Sequence, residues 1–559
     1  MLSIIKILPK QYRRQGVGVA LSALLRAILN FAGLAAIIPV LILILDPQAI
    51  GSNSAFGKFR LWAGVGGDTT FAFVICIIIL GFIIVKNVAN VMLGTFQINY
   101  VNKIYRLFSK RLYIRYFQKG LLFIKTNHST GLSHKINGVC FTFAQNVLSR
   151  FFTMIGEGAL LFFMWLALLF YSWKAALLSL VCFMPIMCLY LWMIRHRLAH
   201  CGKAENELRR KQVRIVTETF KGYAEIQINN AFPLLLKRFG EGLGDITRFR
   251  KYIDLVLRIP GAAMECLVAG GMILLVLLSR GDSSAKVAFS MYALALLRML
   301  PAIRTLIIGW TQIKNNLYTV DIVKEAVVQN NTPAGAFAEP VSFNDKIELK
   351  NVTFAFPDTG EPIIRNLSIS IAKGEHVGIQ GISGVGKSTL FNLLLGFYTP
   401  QQGSITIDGR ELNATTCELW QRMISYVPQD IFIMDATLAE NIAFGNENID
   451  REKLAEALNQ ADLMDFVQTL PHGIDTGIGE GGCRLSGGQR QRIGIARAFY
   501  KQAEVIFFDE VTSALDQGSE EKISRAINKQ ADGKKNTTLV IISHRPSTLR
   551  FCDRVIKLE

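Results

Sequence analysis

Long apolar runs alternate with basic segments over the first part of the chain. A helix needs about 20 mostly apolar residues to cross the hydrocarbon of a bilayer, because unpaired backbone groups are too costly there. Six stretches are long enough, which predicts a membrane domain of six long α-helices over residues 1–328. They run from Val17 to Leu45, Phe71 to Gln97, Val139 to Tyr171, Ala175 to Ile194, Ile259 to Leu278 and Val287 to Ile308.

The basic residues between these stretches predict the orientation, since Lys and Arg accumulate on the cytoplasmic side of a membrane. Residues 101–135 contain eight Lys or Arg and no acid, and residues 195–258 contain fourteen Lys or Arg. Both termini are therefore expected in the cytoplasm. Residues 99–119 and 195–229 also keep helical apolar spacing, so the second to fifth spans should continue as helices beyond the bilayer.

Two breaks interrupt these polar helices, at Thr126 to Gly131 and at Asn229 to Pro233. We interpret each as a turn that presents a short helix to a second domain; a plain surface turn is the alternative.

Charged residues inside the spans are informative because each costs about 2.5 to 3.5 kcal/mol at the bilayer centre on insertion scales. Cations are more numerous there than acids, which favours a substrate cavity suited to a phosphate or pyrophosphate. The alternative is that the cations snorkel to the interface or pair with Glu157 and Glu265. The deepest cations are Arg26, Lys86, Arg298 and Arg304.

The pattern changes after residue 328. Residues 329–340 lose periodicity, as in a linker, and residues 347–354 and 363–371 then alternate as half-buried strands. A further strand at His376 to Gln380 leads directly into Gly381-Ile382-Ser383-Gly384-Val385-Gly386-Lys387-Ser388-Thr389. Strand, glycine loop and helix predict an α/β nucleotide-binding domain over residues 341–559.

The glycine loop is a phosphate-binding motif, because glycines let backbone N–H groups curl around an anion. The helix that starts near Gly386 adds its partial positive charge. Lys387 is expected to reach the outer phosphates of ATP, and Ser388 to supply a ligand to Mg²⁺.

A second motif, Val505-Ile506-Phe507-Phe508-Asp509-Glu510, is an apolar strand that ends in two carboxylates. Asp509 is placed to hold magnesium, and Glu510 to polarise the attacking water as a general base. Simple capping of a turn by the two acids would not explain the apolar run before them.

Between these motifs stands Leu485-Ser486-Gly487-Gly488-Gln489. A signature of this kind downstream of a phosphate-binding loop resembles the ATP-binding cassette (ABC) family. The resemblance implies that each nucleotide site is closed by a second cassette, so that Lys387 of one copy faces Ser486 of another. The chain has one of each motif, which implies half of a dimer; a homodimer is expected, and a heterodimer is the alternative.

The resemblance also assigns roles by position. Gln429 matches the Q-loop, His544 the switch histidine, Asp516 the D-loop, and Phe356 the aromatic residue that stacks on adenine. Catalytic roles are expected for Glu510, His544, Gln429 and Lys387, and metal binding for Ser388, Gln429 and Asp509. Nucleotide binding is expected for Phe356, Gly381, Ser383, Gly384, Gly386, Lys387, Ser388, Thr389, Ser486, Gly487, Gly488, Gln489 and Asp516.

Six spans followed by one cassette are similar to an exporter half of this family. Residues 221–226 and 295–304 are similar to segments of bacterial lipid-linked oligosaccharide flippases. The resemblance implies an ATP-driven exporter or flippase in a bacterial inner membrane, with an amphipathic, anionic lipid or lipid-linked glycan as substrate. A drug or peptide exporter is the alternative, and an ATP-gated channel or regulator is an alternative of another class.

Composition removes one further class. Residues 1–328 hold 38 Lys and Arg against 14 Asp and Glu, a net charge of +24, and the acidic remainder of the chain lowers the total to +18. Mean hydropathy is +0.32, which together with the spans argues against a nucleic-acid binder and against a soluble cassette protein. The nine cysteines show no paired spacing and predict neither a metal site nor disulfides.

Overall fold

A computed structural model describes residues 7–37, 68–171, 200–278, 284–327, 342–357, 360–382, 384–511, 537–550 and 552–558, with single positions at 173, 177, 518, 521 and 525. The chain divides into two compact units, residues 1–330 and 331–559. The first unit is helical and the second combines helices with two sheets. This is the predicted order of a helical membrane domain and an α/β cassette.

The described helices of the first unit are long. They are α1 Lys10–Ala35, α2 Asp68–Gln118, α3 Gly120–Thr126, α4 Ser129–Ser133, α5 Arg150–Tyr171, α6 Tyr223–Ile228, α7 Phe232–Leu278, α8 Ser284–Asn315 and α9 Tyr318–Glu325. Residues 200–221 are also helical. Between α4 and α5 the helix continues through two π-helical segments, His134–Val139 and Phe143–Ser149.

Within the described residues, three helical stretches are long and apolar enough to cross a membrane: Lys10–Ala35, Phe73–Gln118 and Ser129–Phe170. Helices α7 and α8 contain the fifth and sixth predicted spans. The predicted fourth span lies outside the described residues, except for an exposed helical position at Leu177.

Helix α2 shows how far the helices extend. Its 51 residues correspond to about 76 Å at 1.5 Å per residue, against a hydrocarbon thickness of about 30 Å. Apolar side chains such as Phe73, Ile84 and Val91 on its first half are exposed, as expected of a lipid-facing surface. Tyr100, Ile104, Phe108 and Leu112 on its second half are buried in a core with Phe143 and Phe152.

The two predicted breaks are present in the first unit. Asn127 and His128 separate α3 from α4. Asn229 to Ala231 separate α6 from α7, and Asn230 has a positive φ of 49°. Short helices therefore lie beside both breaks, as the sequence pattern predicts.

The second unit contains two sheets. An antiparallel sheet has the strand order β2-β1-β4-β5, and a parallel sheet has the order β6-β7-β8-β3-β9. The strands are β1 Lys346–Ala355, β2 Pro362–Ala372, β3 His376–Gly381, β4 Gln402–Ile407, β5 Arg410–Glu411, β6 Ile424–Val427, β7 Val505–Asp509, β8 Thr538–Ile542 and β9 Arg554–Leu558. Every residue of β7 and β8 is buried, because helices cover both faces of a parallel sheet.

Three of the described helices of the second unit share a hydrophobic core with the parallel sheet. The helices of this unit are α10 Lys387–Leu394, α11 Cys417–Met423, α12 Leu438–Ile442, α13 Arg451–Gln460, α14 Met464–Thr469, α15 Gly487–Lys501 and α16 Pro546–Leu549, and the three in the core are α12, α13 and α15. Leu438, Leu454, Ile493 and Phe499 pack with Phe508 of β7 in one hydrophobic cluster. This packing fixes α15, which begins in the signature motif, against the strand that carries Asp509.

Candidate nucleotide site

The phosphate-binding loop connects β3 to α10 and requires glycine at two positions. Gly384 has a φ of +88° and Gly386 a φ of +105°, a region that side chains with a Cβ disfavour. A Cβ on Gly386 would also lie 2.8 Å from Cγ2 of Ile363. A residue with a Cβ at either position would therefore strain the loop. Ser383, also predicted to bind nucleotide, lies outside the described residues.

Lys387, the first residue of α10, is nearly buried, with 8% of its surface exposed. Its Nζ donates to the carbonyl oxygens of Gly381 at 2.8 Å and Ile382 at 3.0 Å. The ammonium group is thus held against the loop that precedes it. Thr389, in the same helical turn, is also buried.

Asp509 ends β7 and is 6% exposed. The Tyr426 hydroxyl donates to its Oδ2 at 3.3 Å. Burial raises the pKa of this carboxyl above its ordinary value, and the hydroxyls of Tyr426 and Ser388 beside it partly oppose that shift. A carboxylate and a hydroxyl thus meet at the start of α10.

Glu510 joins three loops. Its Oε2 accepts a hydrogen bond from Nε2 of Gln429 at 3.0 Å, and its Oε1 lies 3.2 Å from Nε2 of His544. The residue has a φ of +52°, which is strained for a residue with a Cβ. The bond from its backbone N–H to the Ile542 carbonyl at 2.9 Å helps to hold this conformation.

The order of the parallel sheet explains why these residues meet. Strand β7 lies between β6 and β8, and β8 pairs with β3. Gln429 follows β6, Glu510 follows β7, His544 follows β8 and the phosphate-binding loop follows β3. Because parallel strands end at the same edge, four separated segments form one site there, where open α/β sheets bind ligands.

The signature residues lie at the N-terminus of α15. Ser486 caps α15: its Oγ accepts from the Gln489 N–H at 3.2 Å, and Gln489 Oε1 accepts from the Ser486 N–H at 2.8 Å. Gly487 and Gly488 form the first turn of this 15-residue helix, whose N-terminus carries partial positive charge. Among the described residues, the side-chain hydrogen bonds of Ser486 and Lys387 do not connect the two.

Phe356 lies in an aromatic cluster just after β1. Its ring is 5.3 Å from Phe354 and 5.8 Å from Tyr398, both edge to face, and it is half-buried. The cluster holds the ring in a defined orientation. Asp516, the predicted D-loop residue, lies outside the described residues.

Tyr426 is a residue of the site that the sequence reasoning did not single out. It stands three residues before Gln429, and its hydroxyl donates to Asp509 while its ring packs edge to face on Phe391 of α10. Burial and the neighbouring carboxylate raise the pKa of Tyr426, so the hydroxyl stays protonated and donates. The only signal for it in the sequence was its place at the end of a strand beside Gln429.

The predicted cavity cations of the first unit have few partners. Arg26 Nη1 donates to Oε1 of the buried Gln97 at 3.4 Å, and the stem of Lys86 packs over Gly33, where a Cβ would lie 2.6 Å from Lys86 Cδ. Arg298 is half-buried and Arg304 exposed on α8. Within the described residues, none of the four makes an ion pair, and Glu157 and Glu265 have no cationic partner.

A helical unit of this kind, followed along the chain by such a nucleotide site, is the organisation of an ABC transporter with an ATP-hydrolysing cassette. Residues 364–513 match the family model for the ABC transporter. The chain therefore carries an ABC transporter domain that binds ATP, and this domain follows helices long and apolar enough to cross a membrane.

Two relatives extend the comparison beyond the cassette, and both are named ATP-dependent lipid A-core flippase. The protein from Saccharophagus degradans is 33% identical over 352 residues, which cover 62% of this chain and 58%, less than two thirds, of that relative. The protein from Burkholderia pseudomallei is 28% identical over 511 residues, which cover 89% of this chain and 83% of that relative.

The fold agrees with a solved structure, described as that of a bacterial Atm1-family ABC exporter with ATP bound. The TM-score is 0.78 at 21% identity, and the match covers 98% of this chain and 93% of that chain. At this identity the likeness establishes an exporter fold.

Proposed function

We propose that the chain forms a homodimeric, ATP-driven flippase that moves an amphipathic, anionic lipid or lipid-linked glycan across a bacterial inner membrane. The observation that carries the hydrolytic part is the position of Glu510 between Gln429 and His544. The substrate class is supported by the names of the two relatives and by Arg26, Lys86, Arg298 and Arg304, which make no ion pair among the residues that the structure describes.

The catalytic proposal assigns one role to each side chain around Glu510. Glu510 accepts a proton from the attacking water as general base. Gln429 binds one oxygen of this carboxylate and His544 the other, so that the group keeps one orientation. Lys387 exchanges its two carbonyl partners for the outer phosphates of ATP, because an anionic oxygen is the stronger acceptor.

Mg²⁺ fits the donors that the fold brings together. Magnesium in nucleotide sites binds through one or two protein oxygens together with substrate phosphates, and keeps several waters. Ser388 and the buried Asp509 supply such oxygens beside the phosphate-binding loop. Gln429 contacts Glu510, the residue that follows Asp509. Bound there, the ion would neutralise charge that develops on the transferred phosphoryl group.

The dimer proposal rests on the signature residues at the N-terminus of α15, whose hydrogen bonds do not connect them to Lys387 among the described residues. The capped N-terminus of α15 offers the N–H groups of Gly487 and Gly488 to an anion, and the half-buried glycines leave these groups close to the surface. We assign them to the ATP of a second copy, bound at its Lys387. Two identical chains then give two complete sites, with the cassettes in the cytoplasm, where ATP is available.

The decisive experiment is the substitution Glu510→Gln in the purified full-length protein. We expect the variant to bind ATP, to form a closed dimer with it, and to lose at least about 100-fold in kcat, within the range of general-base contributions. The dimer is measured by size-exclusion chromatography with light scattering, and Glu456→Gln on the exposed face of α13 is the matched control. Near-normal hydrolysis by Glu510→Gln would remove the residue from its base role.

A transport assay tests the substrate class separately. Proteoliposomes with labelled lipid-linked pyrophosphate glycans should show ATP-dependent movement of the glycan, and Glu510→Gln should abolish it. Transport of neutral drugs or peptides without transport of any anionic lipid would overturn the substrate proposal and leave the ATPase assignment intact.

A further inference from the structure

A basic pocket lies in the first unit, between the break that follows α3 and the helix of residues 200–221. Its volume is about 340 Å³, which is within the range of small-molecule sites. We call it the basic pocket and define it by the side chains that carry its chemistry: Asn127, His128, Lys135, Arg210, Lys211 and Arg214.

The charges of the basic pocket have one sign. Four of its lining residues are Lys or Arg, and neither Asp nor Glu lines it. In the described part of the chain, Arg210 and Lys211 make neither an ion pair nor a hydrogen bond. Arg214 pairs with Glu218 at 2.6 Å and reaches Nε2 of His128 at 3.3 Å. Like charges so close repel one another, and a bound anion would relieve that repulsion.

The fold holds two separated segments together to make this pocket. Nε2 of His134 lies 2.9 Å from Oδ1 of Asn206, which ties the π-helical segment to residues 200–221. A Cβ on Gly131 would lie 3.8 Å from Cδ of Arg210, so the two segments of the chain are in van der Waals contact. Lys135, the second residue of the π-helical segment, lines the same pocket as Arg210. Short π-helical segments are rare and frequently mark functional sites.

The distance of the basic pocket from the predicted membrane surface distinguishes a soluble anion from the headgroup of a membrane lipid. The Ser109 hydroxyl donates to the Ile136 carbonyl at 2.9 Å, and Nζ of Lys135 lies 5.9 Å from the ring centre of Tyr116. Ser109 and Tyr116 follow the predicted end of the second span, Gln97, along the continuous helix α2. At 1.5 Å per residue they lie about 18 Å and about 28 Å beyond it. The headgroup layer adds only about 5 to 8 Å on each side of the hydrocarbon.

We propose that the basic pocket is a binding site for a small, water-soluble, phosphate-bearing anion. Arg210 and Arg214 present guanidinium groups that suit phosphate oxygens, and Lys135 and Lys211 add charge from two segments of the chain. The pocket is too far from the predicted membrane surface for the headgroup of a lipid in the bilayer. It is distinct from the phosphate-binding loop, which belongs to the other unit.

One consequence rests on the proposed function. The break at Asn127 and His128 is the turn predicted to present a short helix to the cassette. An anion that bridges this turn to Arg210 would stiffen it and change the ATPase rate. The experiment below measures binding by itself, so that failure of the proposed function does not affect it.

The test uses inorganic pyrophosphate and the full-length protein with Lys387→Ala, which weakens competing binding at the phosphate-binding loop. Binding is measured by equilibrium dialysis with labelled pyrophosphate, and its location by hydrogen–deuterium exchange of peptides that cover residues 126–135. We expect pyrophosphate to protect these peptides. Arg210→Gln with Lys211→Gln should weaken binding at least tenfold and remove the protection.

Two control variants distinguish a defined binding site from a general attraction of anions to the basic surface. Lys203→Gln with Lys221→Gln removes the same charge from the same helix outside the pocket, and should change affinity less than threefold. Arg210→Lys with Lys211→Arg keeps the charge and should also stay within threefold. Equal losses in both Gln pairs, or absence of protection in the parent protein, would overturn the proposal.

A lipid arm distinguishes the two sources of phosphate. The parent protein is compared in nanodiscs of phosphatidylcholine and of phosphatidylglycerol. Equal exchange at residues 126–135 in the two lipids supports a soluble ligand. Protection by phosphatidylglycerol that pyrophosphate does not reproduce would assign the pocket to a membrane lipid and overturn the proposal as stated.

Discussion

Polar side chains are treated differently in the two units of this protein. At the nucleotide site, Lys387, Glu510 and Asp509 each have partners within hydrogen-bond distance. In the membrane unit, Arg298 and Arg304 have no ion pair among the described residues, and Arg26 has a single long hydrogen bond to Gln97. Partnered groups keep a fixed geometry before ligand binds, as catalysis requires. Cations without partners gain most from an anionic ligand.

The largest predicted effect is on turnover, in a variant of His544. His544→Ala removes one of the two groups that orient Glu510, so we expect kcat to fall about 100-fold while ATP affinity changes less than threefold. Steady-state hydrolysis and equilibrium nucleotide binding are the measurements. The matched control is His472→Ala on the exposed loop before α15. A variant with normal kcat would show that the fixed geometry around Glu510 is not needed for turnover.

A stability experiment sharpens the same contrast. Arg497 on α15 donates to the carbonyls of Asn441 at 2.6 Å and Phe432 at 2.9 Å, and its guanidinium lies 4.8 Å from the ring centre of Phe444. Burial lowers its pKa to about 10, so the group is charged and donating at neutral pH. Arg497→Ala leaves these carbonyls unpaired and should cost about 2 to 3 kcal/mol of cassette stability.

Denaturant unfolding followed by tryptophan fluorescence measures that loss through Trp420, which is fully buried in the cassette. Arg422→Ala removes an exposed ion pair to Glu418 and should cost less than about 1 kcal/mol. Similar losses in the two variants would contradict the assigned role of Arg497.

In the membrane unit the opposite outcome is expected. Arg298→Ala with Arg304→Ala should leave the unfolding temperature nearly unchanged, because neither side chain has an ion pair in the described structure. Stimulation of ATPase activity by a lipid-linked pyrophosphate should fall several-fold, since each lost charge–phosphate contact weakens binding. Arg250→Ala with Lys251→Ala on the exposed polar part of α7 is the control. Unchanged stimulation in the Arg298 and Arg304 variant would remove both residues from the cavity.

The smallest predicted effect concerns Tyr426. Tyr426→Phe keeps the ring against Phe391 but removes the hydrogen bond to Asp509. A neutral donor to a carboxylate contributes about 1 to 2 kcal/mol, part of which water can replace, so we expect kcat to fall roughly twofold to fivefold and the Mg²⁺ concentration for half-maximal activity to rise. A magnesium titration of the ATPase rate measures both, and an unchanged titration would show that the hydroxyl does not position Asp509.

The cassette motifs and the membrane helices could be predicted from local patterns in the sequence. The glycine loop, the apolar strand before Asp509 and Glu510, and the signature at Ser486 identify an ABC cassette because each needs particular residues at fixed spacing. The apolar runs predict the membrane helices, and the uninterrupted helical spacing of residues 99–119 predicts that α2 continues to Gln118. Local properties of this kind depend on nearest neighbours and on chain length.

The tertiary structure decided which distant residues meet. Nothing in the sequence around Tyr426 indicates Asp509 as its partner, because the contact depends on β6 lying beside β7 in the sheet. The same order places Glu510 between Gln429 and His544. The basic pocket likewise depends on the pairing of residues 126–135 with the helix of residues 200–221. Contacts between segments far apart in sequence depend on how elements pack, and no local pattern of residue types encodes that arrangement.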